Sequence, residues 1–213
     1  LRAGDALDPA LIDRGRQRII EAYQQEGYFV ADVTIDEALM EESGILIYRV
    51  REGPQVRIRE IRFEGNESFE ARKLRTEVKS KTYFPIFQSG HLSREQLDLD
   101  AAAVRGFYQD RGYLDAQVGR RIDLAPNQRD ATVTFLVREG ARYVVSEVRV
   151  EGAELFPEAQ IVRVLELKRG GVFARTKERD SVEALRDMYG KLGFMNTEVS
   201  IERLFHTDEP KVD

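Results

Sequence analysis

The chain has 213 residues, enough for one ordinary domain or for two to three small ones, and 33 Lys and Arg against 38 Asp and Glu leave a net charge of −5. The signs are mixed along the chain, which argues against a nucleic-acid partner; the lack of cysteine excludes disulfides and thiolate metal sites; and His91 and His206 have no metal-ligand spacing. No run of about 18 apolar residues occurs, and Leu1-Arg2-Ala3-Gly4 does not open a secretion signal.

Taken in chain order, the first predicted element is a helix that runs up to Gly27, followed by a strand with Phe29, Ala31, Val33 and Ile35 on one face. Val50-Arg51-Glu52-Gly53-Pro54 reads as a joint, and Val56 to Phe63 alternates apolar and polar residues as a half-buried strand closed by Gly65-Asn66. Leu74 and Val78, four apart within Glu70 to Ser80, mark a short helix. Ser93, with Gln96 three residues on, caps a longer helix whose apolar side takes Leu97, Leu99, Ala101, Val104 and Tyr108 and which ends at Gly112. Leu114, Ala116, Val118 and Ile122 then share one face of a second strand. Pro126-Asn127 lies in a turn, and Thr132 to Val137 forms a third strand before the joint Val137-Arg138-Glu139-Gly140.

The same order recurs. Tyr-Gln-Gln-Glu-Gly-Tyr at Tyr23 returns as Tyr-Gln-Asp-Arg-Gly-Tyr at Tyr108 and as Tyr-Gly-Lys-Leu-Gly-Phe at Tyr189, at offsets of 85 and 81 residues. Leu7, Leu92 and Phe173 stand at matching places before these phrases, and Val33, Val118 and Val199 at matching places after them. The stretch from Val50 aligns without gaps with that from Val137, at an offset of 87. The repeats are therefore small domains of about 80 to 90 residues, each an α+β unit ordered strand, helix, helix, strand, strand. Each tyrosine lies on the buried side of its helix beside the terminating glycine, which makes it core rather than part of an aromatic site.

The offsets of 87 and 81 disagree by six residues, which places an insertion between the helices of the middle unit at Thr82-Tyr83-Phe84-Pro85-Ile86-Phe87. Tyr83, Phe84, Ile86 and Phe87 are unusual in a loop. Either they fold back on the core or a neighbouring unit, or they stand exposed as a contact for substrate, a partner subunit or a membrane surface; the exposure of Phe84 and Phe87 separates the two.

Val50 to Val56, Phe63-Glu64-Gly65-Asn66 and Tyr108 to Tyr113, in this order and spacing, resemble the POTRA (polypeptide-transport-associated) domains of BamA-type outer-membrane assembly factors, and the resemblance covers nearly the whole chain. Gly152-Ala153 in place of Gly-Asn is a mild departure that touches the turn alone. The resemblance implies tandem two-layer units, each a three-stranded mixed sheet covered by two helices. They would be a partial unit over 1–54 (second helix and last two strands), a complete one over 55–140, and one over 141–213 that lacks its last strand. It also implies a segment on the periplasmic face of the outer membrane that receives unfolded outer-membrane proteins and docks accessory lipoproteins or other assembly subunits. The parent would carry a C-terminal β-barrel.

In such a unit the third strand would be central and the second an open edge, running over 28–36, 113–123 and 194–202 in the three copies. An open edge offers unpaired backbone groups to an added strand. The candidate docking residues are Tyr113, Leu114, Asp115, Ala116, Gln117 and Val118, although Arg120-Arg121 would also suit an edge merely blunted by charge. Gly53, Pro54 and Gly140 are the interdomain joints; Pro54 stiffens the first, and Ala141 leaves the second freer. No Ser-His-Asp or Cys-His pattern and no glycine-rich phosphate loop appears, so no catalytic residue, metal or cofactor is expected. Two other readings stay open: the POTRA arm of an export or import pore (two-partner secretion or plastid-type), and a cell-division scaffold, against which the tandem copies argue.

Overall fold

The computed structural model describes residues 8–213. Leu7 and the opening of the first expected unit lie outside the described residues. The chain divides into two compact units: one takes residues up to Glu64, Ala71–Ala102 and Gly119–Leu136, and the other takes Gly65–Glu70, Ala103–Val118 and Val137–Asp213.

The first copy begins with helix α1 (Pro9–Gln25), where Asp8 accepts from the Ala10 amide at 2.9 Å and proline occupies the first turn. Strand β1 (Asp32–Ile35) pairs antiparallel with β2 (Tyr48–Arg51). Between them lies a helix the sequence reading missed, α2 (Glu37–Ser43). Its signals were present: Asp36 accepts from the Leu39 amide at 3.2 Å as N-cap, and Gly44, at φ +69°, ends it.

The middle copy follows the expected order as β3 (Arg57–Glu64), α3 (Ala71–Arg75), α4 (Arg94–Gln109), β4 (Gln117–Leu124) and β5 (Asp130–Arg138). These strands form one sheet in the order β3-β5-β4, with β3 parallel to β5. The alternation in β3 is not uniform, because Arg59-Glu60 places two polar residues in succession. The ladder shifts register between Ile58 and Glu60; this bulge returns Ile61 and Phe63 to the face of buried Val56 and Ile58. Central β5 buries Ala131, Val133, Phe135 and Val137, and Phe135 stacks on Phe63 with ring centroids 5.4 Å apart.

On α4, Leu97, Ala101, Val104 and Tyr108 are buried at helical spacing. Leu99, expected on that side, is exposed, because it falls two residues from Leu97 and so on another face. Ser93 accepts from the Gln96 amide at 3.3 Å, while the Gln96 side chain turns to Asp100 instead of completing a capping box. Asp100 is buried and also accepts from the Lys79 and Ser80 amides at 2.8 and 2.9 Å, which pins the chain leaving α3. Ser181 does the same for Glu166 and Leu167 in the third copy.

The third copy comprises β6 (Val144–Val145), α5 (Glu158–Val164), α6 (Arg175–Gly190) and β7 (Lys211–Val212). The sequence reading ended this copy before any closing strand. Yet β7 lies parallel to β6, the relation β5 has to β3, so two residues of that strand are in place. The expected strand over 194–202 is not formed. A second strand pairs with the last strand of its unit, and β7 offers it two residues.

Candidate functional site

The repeated phrase around Tyr23, Tyr108 and Tyr189 is a helix cap of the Schellman type. The amide of the second aromatic residue donates to the carbonyl of the tyrosine five residues earlier: Tyr28 to Tyr23 at 2.9 Å, Tyr113 to Tyr108 at 3.1 Å and Phe194 to Tyr189 at 3.2 Å. The two rings meet edge to face in each copy, at 5.9, 5.6 and 6.4 Å. The glycine between them takes φ +90°, +97° and +90° at Gly27, Gly112 and Gly193.

That glycine also forms the joint to the next copy. The Gly27 carbonyl accepts from the Val56 amide at 2.8 Å, and the Val56 carbonyl accepts from the Leu92 amide at 3.2 Å. One copy later the Gly112 carbonyl accepts from Tyr143 at 2.8 Å, and the Tyr143 carbonyl accepts from Phe173 at 3.1 Å. Both glycines are buried against these partners, whereas a Cβ on Gly193 would meet nothing within 4 Å.

The predicted joint residues lie at these places. Gly53 and Gly140 take φ +69° and +73°, a Cβ on Gly53 would stand 2.5 Å from Val30, and Pro54 is half-buried between them in sequence. The glutamate before each glycine, which the sequence reading passed over, accepts from the capping tyrosine: Tyr23 to Glu52 at 3.1 Å and Tyr108 to Glu139 at 2.9 Å. Glu139 also takes the Ser68 amide at 2.9 Å and the Ser68 hydroxyl at 2.5 Å. Burial and then the Glu139 carboxylate push the Tyr108 phenol well above its ordinary range, so it remains a donor.

The candidate docking strand starts later than expected. Gln117 and Val118 lie in β4, whereas Tyr113, Leu114, Asp115 and Ala116 form turns before it. The cap and the joint take up their backbone and side chains: the Leu114 carbonyl accepts from Gln109, the Ala116 amide donates to the Tyr113 carbonyl, and Asp115 accepts from the Tyr143 hydroxyl at 2.9 Å. The usable edge is thus Gln117–Leu124. Its third residue is Gly119, where a Cβ would meet nothing within 4 Å, so no side chain blocks the approach of another backbone there.

The two edges of this sheet differ. At β3 the Ile58 amide donates to Gly90 at 2.7 Å, the Ile58 carbonyl accepts from Tyr83 at 2.6 Å, and Arg57 bridges to His91, so Tyr83 and the residues before α4 cover the start of that edge at Arg57 and Ile58. Among the described residues the β4 backbone pairs with β5 alone. Its arginines are tied down sideways, Arg120 to Asp98 at 2.7 and 2.9 Å and Arg121 to Asp123 and Glu64 at 3.0 and 3.1 Å. The Arg120 guanidinium holds the Asp98 carboxyl below the usual range.

Of the insertion residues, Tyr83 is the root. Its ring lies under the Arg57 and Arg59 guanidinium carbons at 4.0 and 4.8 Å. Phe84, Ile86 and Phe87 are 58, 100 and 78 % exposed, so they do not fold back on the core. Among the described residues no group of three or more His, Asp or Glu side chains could hold a metal ion.

Tandem two-layer α+β repeats, joined cap to strand and carrying an open sheet edge, define the class of protein. The chain belongs to the POTRA family, described as surface antigen variable number repeat, which matches residues 1–53, 56–140 and 143–213. It is 24% identical to an outer membrane protein assembly factor BamA of Nitratidesulfovibrio vulgaris, covering 100% of this chain and 28% of that protein. A Neorickettsia risticii protein of the same name is 29% identical, covering 75% of this chain and 22% of the relative. The chain thus spans about a quarter of the length of these curated relatives. The fold is also that of POTRA3-5 of Haemophilus influenzae BamA, with a TM-score of 0.58 and 20% identity over 99% of this chain and 80% of that one.

Proposed function

We propose that this chain is the periplasmic polypeptide-docking arm of an outer-membrane protein assembly factor whose parent carries a β-barrel. In this reading it receives unfolded β-barrel proteins and assembly subunits by adding their strands to β4. The observation that carries it is the asymmetry of the middle sheet: the joint, Tyr83 and Gly90 take up the start of the β3 edge from Val56 to Ile58, and among the described residues β4 pairs with β5 alone along Gln117–Leu124. Membership of the POTRA family and relatives named as outer membrane protein assembly factors support the assignment. Augmentation asks little of side chains, which suits an arm that must accept many sequences.

The test is titration of the 213-residue chain with a strand peptide from a β-barrel protein while amide resonances are followed. Gln117 to Leu124 should shift and Arg57 to Glu64 should not. Shifts confined to other residues, or none at millimolar peptide, would remove β4 as the docking edge.

A further inference from the structure

The insertion has features that polypeptide docking at β4 does not use. Within Ala71 to His91 there are five cations, Arg72, Lys73, Arg75, Lys79 and Lys81, against one acid, Glu77, in a chain that is otherwise acidic. At the end of this basic stretch, Phe84-Pro85-Ile86-Phe87 carries no polar side chain. Ile86 is fully exposed and holds φ +73°, a left-handed conformation in which a β-branched residue is strained.

The tip is preformed. Phe84 and Gln88 exchange backbone hydrogen bonds at 3.0 and 2.9 Å, the Phe87 amide donates to Phe84 at 3.2 Å, and Pro85 has no amide. The Phe84 and Phe87 rings lie 5.8 Å apart. The root is rigid, because Tyr83 is held by Ile58 and by two guanidinium groups, and Gly90 packs so close that a Cβ would stand 2.4 Å from the Tyr83 nitrogen. The third copy builds its helix pair without these six residues, so the insertion is not required to complete the unit.

An apolar tip whose amides are largely satisfied internally, preceded in the chain by exposed Lys79 and Lys81 with no acid from Lys79 to His91, matches the charge and polarity profile of an anionic bilayer surface. We propose that the Phe84–Phe87 hairpin is a membrane-insertion tip that enters the interface of an anionic phospholipid bilayer while Lys79 and Lys81 meet its headgroups. Tyr83 and its two arginines hold the hairpin at a fixed angle to the sheet. The lipid contact and the β4 edge are separate surfaces, so either can fail without the other.

Vesicle co-sedimentation tests it, with the 213-residue chain and vesicles of phosphatidylcholine alone or with about 30 % phosphatidylglycerol. The chain should bind the anionic vesicles and lose about tenfold or more in apparent affinity as F84S/I86S/F87S; each of K79Q and K81Q should lose about fivefold. Because the tip is exposed, these variants should keep the parent's thermal transition. The chain has no tryptophan, so I86W gives a single reporter, whose emission should shift blue with anionic vesicles and be quenched by lipids brominated near the headgroup. Equal binding by the triple serine variant would overturn the proposal. So would an I86W indole that ignores vesicles and responds instead to an assembly subunit.

Discussion

Replacing Gly112 by alanine separates the two jobs of the repeated phrase. At φ +97° any Cβ costs about 1–2 kcal/mol. The same atom would stand 2.7 Å from Val172 Cγ1 and 3.0 Å from the Tyr143 carbonyl oxygen, and forcing an atom into packed surroundings adds about 1–3 kcal/mol. Gly193 has φ +90° and open space, so Gly193→Ala carries the first cost without the second. The difference between the two variants, about 1–3 kcal/mol, is the joint's share. Hydrogen exchange reads it locally, because the Tyr143 amide donates to Gly112 and the Phe173 amide to Tyr143. Gly112→Ala should speed exchange at Tyr143 and Phe173 by about tenfold or more, at about 1.4 kcal/mol per tenfold, and Gly193→Ala should leave both unchanged. Equal effects of the two variants, or an unaltered Tyr143 amide in Gly112→Ala, would show that the glycine is a helix cap and nothing more.

Two further outcomes follow from hydrogen-bonded carboxylates, one buried and one half-buried. Asp100→Ala should destabilise the middle copy by about 3 kcal/mol in urea unfolding, because it leaves the Lys79 and Ser80 amides without their acceptor, and Asp100→Ser should restore part of the loss as Ser181 does in the third copy. Hydrogen bonds from Arg57, then Asn127 and Arg59, hold the Asp130 carboxyl down at about 2. Since its folded value is depressed, its stabilisation is complete above the unfolded value of about 3.9 and is lost as pH falls through about 2. Solvent around the arginines limits it to about 1 kcal/mol. Thermal melts of Asp130→Asn should therefore lie below the parent at pH 6 and approach it near pH 2.

The order of elements was legible because the middle copy states it whole and the other two restate parts of it, and because hydrophobic period and capping chemistry act over a few residues. Gly112 could be read as a helix end from Tyr108 and Tyr113 alone. Its second role could not, because the atoms that fill the space around it belong to Arg142, Tyr143 and Val172, tens of residues away. The late start of β4 has a related origin: Leu114 and Ala116 alternate as a strand does, but Gln109 at the end of α4 takes the Leu114 carbonyl and Tyr143 of the joint takes Asp115. Missing α2 is different, since Asp36 and Gly44 were local signals that strand periodicity on either side overshadowed. The bulge at Arg59-Glu60 was also written in the sequence, as a break in phase that uniform alternation hides.

The joint bears directly on which edge remains open. When Val56 and Tyr143 hand their amides to Gly27 and Gly112, the residues that enter β3 and β6 are committed to the preceding copy. The carbonyls of the same residues then accept from Leu92 and Phe173, ahead of α4 and α6. A first strand in this tandem arrangement therefore begins with its outer backbone groups engaged, and in the middle copy the insertion extends that cover through Ile58. The second strand acquires no such cover among the described residues, where β4 pairs with β5 alone.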